Sequence, residues 1–194
     1  MTTEKLKATD TVSSGLTCNT KAGEGAKATG LFEIKCHDKD GNLKWVADSK
    51  NLVVNTGLQY MAGSALTSTT QITTWYLGLY GAGASNTPAA GDTMSSHGGW
   101  TEFVNYTSAT RVAVSFTAAT NAAPSVVTNS GSTALFTINN AGGTVGGAFL
   151  TSGSAKSGTA GTLFSAADFG SPGDRVVVSG DTLTVTYTFS LNAG

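Results

Sequence analysis

Residues 182–191 alternate without a break. Leu183, Val185, Tyr187, Phe189 and Leu191 occupy one set of positions, and Thr182, Thr184, Thr186, Thr188 and Ser190 the other. Side chains of a strand point to opposite faces with period two, so the run makes one apolar face and one hydroxyl-lined face. A strand of that kind is half buried and belongs to an antiparallel sheet with one side on a core. Val176, Val177 and Val178, followed by the polar Ser179-Gly180-Asp181, predict a hairpin leading into it.

The same period recurs upstream. In residues 31–37, Phe32, Ile34 and Cys36 share one face, with Leu31, Glu33, Lys35 and His37 on the other. Asp38-Lys39-Asp40-Gly41-Asn42 reads as a turn, with Leu43-Lys44-Trp45-Val46 opening the return strand and Asn51-Leu52-Val53-Val54 continuing the sheet. Residues 73–80 are apolar or aromatic on both faces, which marks a central strand. Residues 100–106 are expected to be extended, residues 111–117 to turn Val112, Val114 and Phe116 inward, and residues 133–138 and 144–151 to be strands around an Asn-Asn-Ala-Gly-Gly turn. Loops are expected at 81–91 and 118–124, with a flexible one at 152–161. The one predicted helix is 57–66, capped by Asn55 or Thr56. Its apolar face comprises Leu58, Met61, Ala62, Ala65 and Leu66, with Gly57 and Gly63 weakening it.

About eight to ten short strands, one short helix and no βαβ repeat give an all-β fold. The expected architecture is an antiparallel β-sandwich over residues 31–194, jelly-roll or immunoglobulin-like. Composition agrees, with 31 Thr, 25 Gly and only 3 Pro. Residues 1–30 differ, having few large apolar side chains beyond Leu6, Val12 and Leu16. They cannot form a core alone and read as a tail, or as an extended N-terminal arm that orders against a partner.

Charged residues make up 12% of the chain, about half the usual share, and the net charge is −1. With no basic run, no nucleic-acid partner is expected. No apolar run has the length of a membrane span and residues 1–10 lack a signal-peptide core, so no membrane partner is expected and maturation is placed in the cytoplasm. Cys18 and Cys36 are read as two reduced thiols, one disulfide between them remaining open.

Catalytic chemistry has few candidates. His97 lies between Asp92 and Glu102, next to Trp100, in a Gly-rich segment. That is the one cluster mixing ionisable and aromatic groups, and its plainer reading is a loop whose Trp100 plugs the core. A Ser-His-Asp triad would have to use His37 or His97, and no Gly-x-Ser-x-Gly elbow sits between a strand and a helix. Gly23-Glu24-Gly25-Ala26-Lys27-Ala28 imitates a dinucleotide loop without the strand and helix it needs. Asp38, Asp40 and Asn42 imitate the start of a calcium loop, but Gly41 is misplaced and Ser49 stands where the closing Glu belongs. Cys18, Cys36 and His37 lack zinc-site spacing. Asn105-Tyr106-Thr107 is a formal glycosylation sequon. No catalytic, cofactor-binding or metal-ligating residue is assigned, no cofactor is expected, and the chain is read as not an enzyme.

Two stretches carry a resemblance. One is Phe32-Glu33-Ile34-Lys35-Cys36-His37-Asp38-Lys39-Asp40-Gly41-Asn42-Leu43-Lys44-Trp45 with Lys50-Asn51-Leu52-Val53-Val54-Asn55-Thr56-Gly57-Leu58. The other is Thr73-Thr74-Trp75-Tyr76-Leu77-Gly78-Leu79 with Ala90-Gly91-Asp92-Thr93-Met94-Ser95-Ser96-His97-Gly98-Gly99-Trp100-Thr101-Glu102. With the Ser179-Gly180-Asp181-Thr182-Leu183 segment, they resemble a family of virion structural proteins from tailed bacteriophages over roughly residues 31–190. The resemblance implies a place on the particle as a capsid decoration or cement protein, the alternative being a tail or fibre-associated module. It also implies the major capsid protein and neighbouring copies of the chain as partners, a homo-oligomer on the particle, and assembly in the host bacterial cytoplasm. It transfers no catalytic residue.

Overall fold

In the computed structural model, which describes residues 25–81, 87–169 and 173–193, the alternating segment 182–191 lies within strand β12 (Thr182–Ala193). It runs antiparallel to β1 (Ala26–His37) in one unbroken register, from Ala26 opposite Ala193 to His37 opposite Thr182. Phe32, Ile34 and Cys36 of β1 meet Leu183, Val185 and Tyr187 of β12 on the inner face, all at 0–1% exposure. Burying side chains of this size contributes about 1.5–3 kcal/mol each, which is why the register follows the apolar positions.

β2 (Leu43–Lys50) returns beside β1 after the expected turn, where Gly41 adopts φ +85°. β7 (Ser125–Thr128) and β8 (Ala134–Thr137) share the other side of β12, one after the other, and complete the first sheet. Between them Asn129, 1% exposed, takes over the ladder with its side chain. Its Nδ2 donates to Val185 O at 3.1 Å and its Oδ1 accepts from Tyr187 N at 2.6 Å.

The second sheet runs in the order β3 (Leu52–Val53), β10 (Leu163–Asp168), β9 (Gly143–Thr151), β4 (Trp75–Gly81), β5 (Glu102–Phe103). β11 (Arg175–Val177) also pairs with β9, and β6 (Val112–Val114) with β4. The main core lies between the sheets, and β4 is internal, as its two apolar faces require. The all-β sandwich with one short helix is therefore the observed fold, with twelve strands among the described residues.

Sheet membership departs from the sequence reading in three places. The run 176–178 does not hairpin onto β12; β11 pairs with β9 in the opposite sheet. The strands either side of the 139–143 turn, β8 and β9, also lie in opposite sheets. The chain crosses between sheets at Asn51, so β3 pairs with β10 instead of continuing beside β2. Asn51 fixes that crossing, with its N–H on Gly30 O at 3.0 Å and its Nδ2 on the Tyr187 hydroxyl at 2.8 Å. The boundary of the N-terminal arm also moves. Ala26 to Gly30 are paired residues of β1, and residues 1–24 of the expected arm lie outside the described residues.

Helix α1 (Asn55–Leu66) exists, but neither Asn55 nor Thr56 caps it. Val54 is the N-cap residue, and the Thr56 hydroxyl donates to Leu163 O at 2.6 Å. A second apolar cluster covers the outer side of the second sheet, where Val54, Tyr80, Met94, Trp100, Phe149, Leu163 and Ala166 pack together.

Candidate functional site

The His97 segment folds as a plug. Trp100 is 4% exposed, its ring 5.4 Å from Tyr80 and 5.0 Å from Phe149. A buried indole N–H needs an acceptor, and Asp92 supplies it at 2.9 Å while also accepting from Ala89 N at 2.9 Å. His97 stacks on the indole at 3.8 Å, with Nδ1 2.9 Å from Trp100 O. The structure thus brings Asp92, His97 and Trp100 together but takes Glu102 away, so the predicted trio of ionisable groups does not converge.

Glu102 instead meets a residue whose role the sequence hid. Arg111 is 1% exposed and grips the carboxylate with two N–H groups, Nε to Oε1 at 2.9 Å and Nη2 to Oε2 at 2.7 Å. The guanidinium also donates to Gly153 O and Gly158 O at 2.9 and 3.0 Å, and lies over the Phe149 ring. Glu102 accepts in addition from Ser157 N, at 2.6 Å, where Ser157 takes a left-handed φ of 54°. Lys156 donates to Tyr106 O at 2.7 Å and stands 3.7 Å above the Tyr106 ring; burial lowers its proton affinity. Residues 152–161, expected to be a flexible loop, are clasped at Gly153, Lys156, Ser157 and Gly158. A bidentate buried pair of this kind is closed to substrate because its lone pairs and protons are already used. Asp181, 1% exposed, accepts through Oδ2 from Lys44 Nζ at 2.5 Å and from Val178 N at 2.9 Å.

The remaining sequence candidates are dispersed. Asp38 turns its carboxylate inward onto Asp40 N and Asn42 N at 2.9 and 2.8 Å, the bonds of a tight turn. Hydrogen bonds from Asn42 hold its carboxyl below the usual range. Cys36 is a free buried thiol, pushed up to about 11 chiefly by burial, and His37 lies half-exposed at the end of β1. Cys18, Gly23 and Glu24 lie outside the described residues. Asn105 spends its amide on Gly142 O at 2.8 Å. Among the described residues no group of three or more His, Cys, Asp or Glu side chains is placed to hold a metal ion.

What the fold presents to solvent is more distinctive. α1 lies with Gly57 against β10, its backbone so near that a Cβ there would stand 2.2 Å from Phe164 O. Tyr60 and Met61 are half-buried beside it, Tyr60 edge-on to Trp75 at 5.3 Å. The rest of the predicted apolar face points to solvent: Leu58 is 45% exposed, Leu66 86%, and Ala62 and Ala65 are exposed. No charged residue occurs between Lys50 and Asp92, so the stripe and its flanks are electrically neutral. Beside α1 a slot of about 200 Å³ opens between the sheets, walled by Tyr60, Trp75, Phe116, Phe164 and Phe189. None of the chain's aromatic side chains is exposed.

No family model matches the chain, and no curated protein or solved structure matches it either.

Proposed function

We propose that the chain is a non-enzymatic structural protein of a tailed-phage particle, a decoration or cement subunit that bridges coat subunits, and that it docks through the outer face of α1. The observation that carries the reading is the exposed, uncharged stripe of Leu58, Ala62, Ala65 and Leu66. A folded monomer gains nothing by presenting Leu66 to water, whereas a partner that covers the stripe gains its burial. Many copies on one shell need only modest affinity each, because attachment is multivalent. The bidentate pair at Glu102 supports a structural role, since general acid–base catalysis needs an ionisable group with capacity left to exchange a proton. The tail or fibre reading with aromatic sugar recognition is less favoured, because Tyr80 and Trp100 are buried and Trp75 is occupied by Tyr60 and Phe164.

Electron microscopy of an intact particle tests the proposal. Copies on the shell in a fixed ratio to the coat protein, with α1 against it, are the expected result. A few copies at the portal end would replace the cement reading with the tail one, and absence from particles would end both.

A further inference from the structure

β2 is the outermost strand of the first sheet, and β1 is its only strand partner among the described residues. Antiparallel neighbours alternate between residues that exchange backbone hydrogen bonds and residues that do not. Asn51 N donates to Gly30 O, which sets the phase. Trp45, Ala47 and Ser49 turn their N–H and C=O groups toward β1, and Val46 and Asp48 turn theirs away from the sheet. Among the described residues nothing takes up these outward groups. An edge of this length is a template for a further strand.

The side chains say which strand fits. Val46 is 41% exposed, with Lys44 and Asp48 exposed two residues to either side. Asp48 stands opposite Glu33 of β1, whose own counter-charge is Lys35, and forms no ion pair among the described residues. Lys44 holds Asp181 and keeps 30% of its side chain open; an ammonium has three donors and can serve a second carboxylate. Read backwards, Lys44-Trp45-Val46-Ala47-Asp48 therefore complements itself, cation to anion about Val46. Other registers fail. A centre at Ala47 sets Lys44 against Lys50, and one at Asp48 sets two carboxylates face to face. A centre at Ser49 runs the pairing into Asn51, where the chain leaves the sheet.

We propose that β2 pairs antiparallel with β2 of a second copy of this chain, about a twofold axis at Val46. The two first sheets become one, and Lys44 of each copy faces Asp48 of the other. A twofold contact uses the same patch on both copies and closes on itself, so it yields a dimer and no fibre. The charges that admit this register bar its neighbours, which gives the contact its specificity. One strand pair is small for a specific interface, so the dimer is weak, with a Kd on the order of 0.1–1 mM. It forms where copies are concentrated, and it does not depend on the docking through α1.

Sedimentation equilibrium of the full chain, from about 10 μM to about 2 mM, should show monomer passing to dimer and nothing larger. Asp48→Lys sets like charges opposite each other twice and should weaken association at least about tenfold. Its Tm should hold, because the substitution also relieves the repulsion from Glu33. Cysteine cross-linking reads the register, in a Cys18→Ser background. Val46→Cys should give a disulfide-linked dimer under mild oxidation, since facing residues bring their Cα atoms to about 5.5 Å. Asp48→Cys should not, its two copies lying about 14 Å apart along the strands. The proposal fails if the chain stays monomeric throughout, as it would if β2 received a segment of a different protein. It fails equally if larger species form, if Asp48→Lys associates like the unaltered protein, or if Asp48→Cys cross-links and Val46→Cys does not.

Discussion

Replacing Arg111 with alanine would withdraw four hydrogen bonds from a place water does not reach and leave the Glu102 carboxylate buried without its counter-charge. Breaking one side of such a pair costs about 3–5 kcal/mol. Arg111→Ala should therefore unfold at a much lower urea concentration than the unaltered protein, and the 152–161 loop should become the first site of proteolytic cleavage. The alternation of residues 111–117 correctly turned Val114 inward, yet it gave no hint that Arg111 points into protein, because its partner Glu102 and the carbonyls of Gly153 and Gly158 are remote in sequence. Asn129 was illegible for the same reason: a side chain that stands in for a strand leaves no periodic trace. Cys36 was legible, as the third inward position of a clean alternating run. Its thiol keeps its proton to about 11 in the fold, against an ordinary value of 9.0. Between those values the unfolded chain binds fewer protons than the folded one, so this group's contribution to stability is full below about 9 and is lost as pH rises through about 11. Urea midpoints at about pH 8 and about pH 10 should show the decline, and Cys36→Ala should make it shallower. An equal slope in the variant would assign the decline to the buried tyrosines, whose proton affinities burial shifts in the same direction.

Helix α1 shows how an element can be found from its spacing while its orientation stays open. Leu58, Met61, Ala62, Ala65 and Leu66 fall at helical spacing, and spacing alone says nothing about which protein the stripe will cover. Packing decides: Gly57 allows the backbone onto β10, and Tyr60 finds Trp75. The two sides of the helix should then respond oppositely to substitution. Leu58→Ser and Leu66→Ser should move stability by no more than about 0.5 kcal/mol while weakening attachment to particles in a co-sedimentation assay. Gly57→Ala should cost about 1–3 kcal/mol, as overpacking does, seen as a lowered Tm. If the leucine variants lost stability and kept attachment, the docking face would have to lie elsewhere.

Across the molecule, period two told which face each strand buries but not which sheet it joins. The hairpin of β1 and β2 was readable because a five-residue turn connects them, whereas β8 and β9 flank an equally short turn and still part to opposite sheets. The register of β1 sharpens a truncation experiment. Removing residues 1–24 leaves every described strand whole, and an unchanged Tm with reduced particle attachment is the outcome expected if that segment serves docking. Removing residues 1–30 also strips Ala26 to Gly30 from their partners Ala193 to Phe189 and should lower Tm as well. The same register has a mechanical consequence. Ala26 faces Ala193, so tension applied at those two points parts β1 from β12 like a zip, one rung after another, instead of shearing every rung at once. Any tether fastened there is compliant, and a stiff attachment must run through a face of the sandwich.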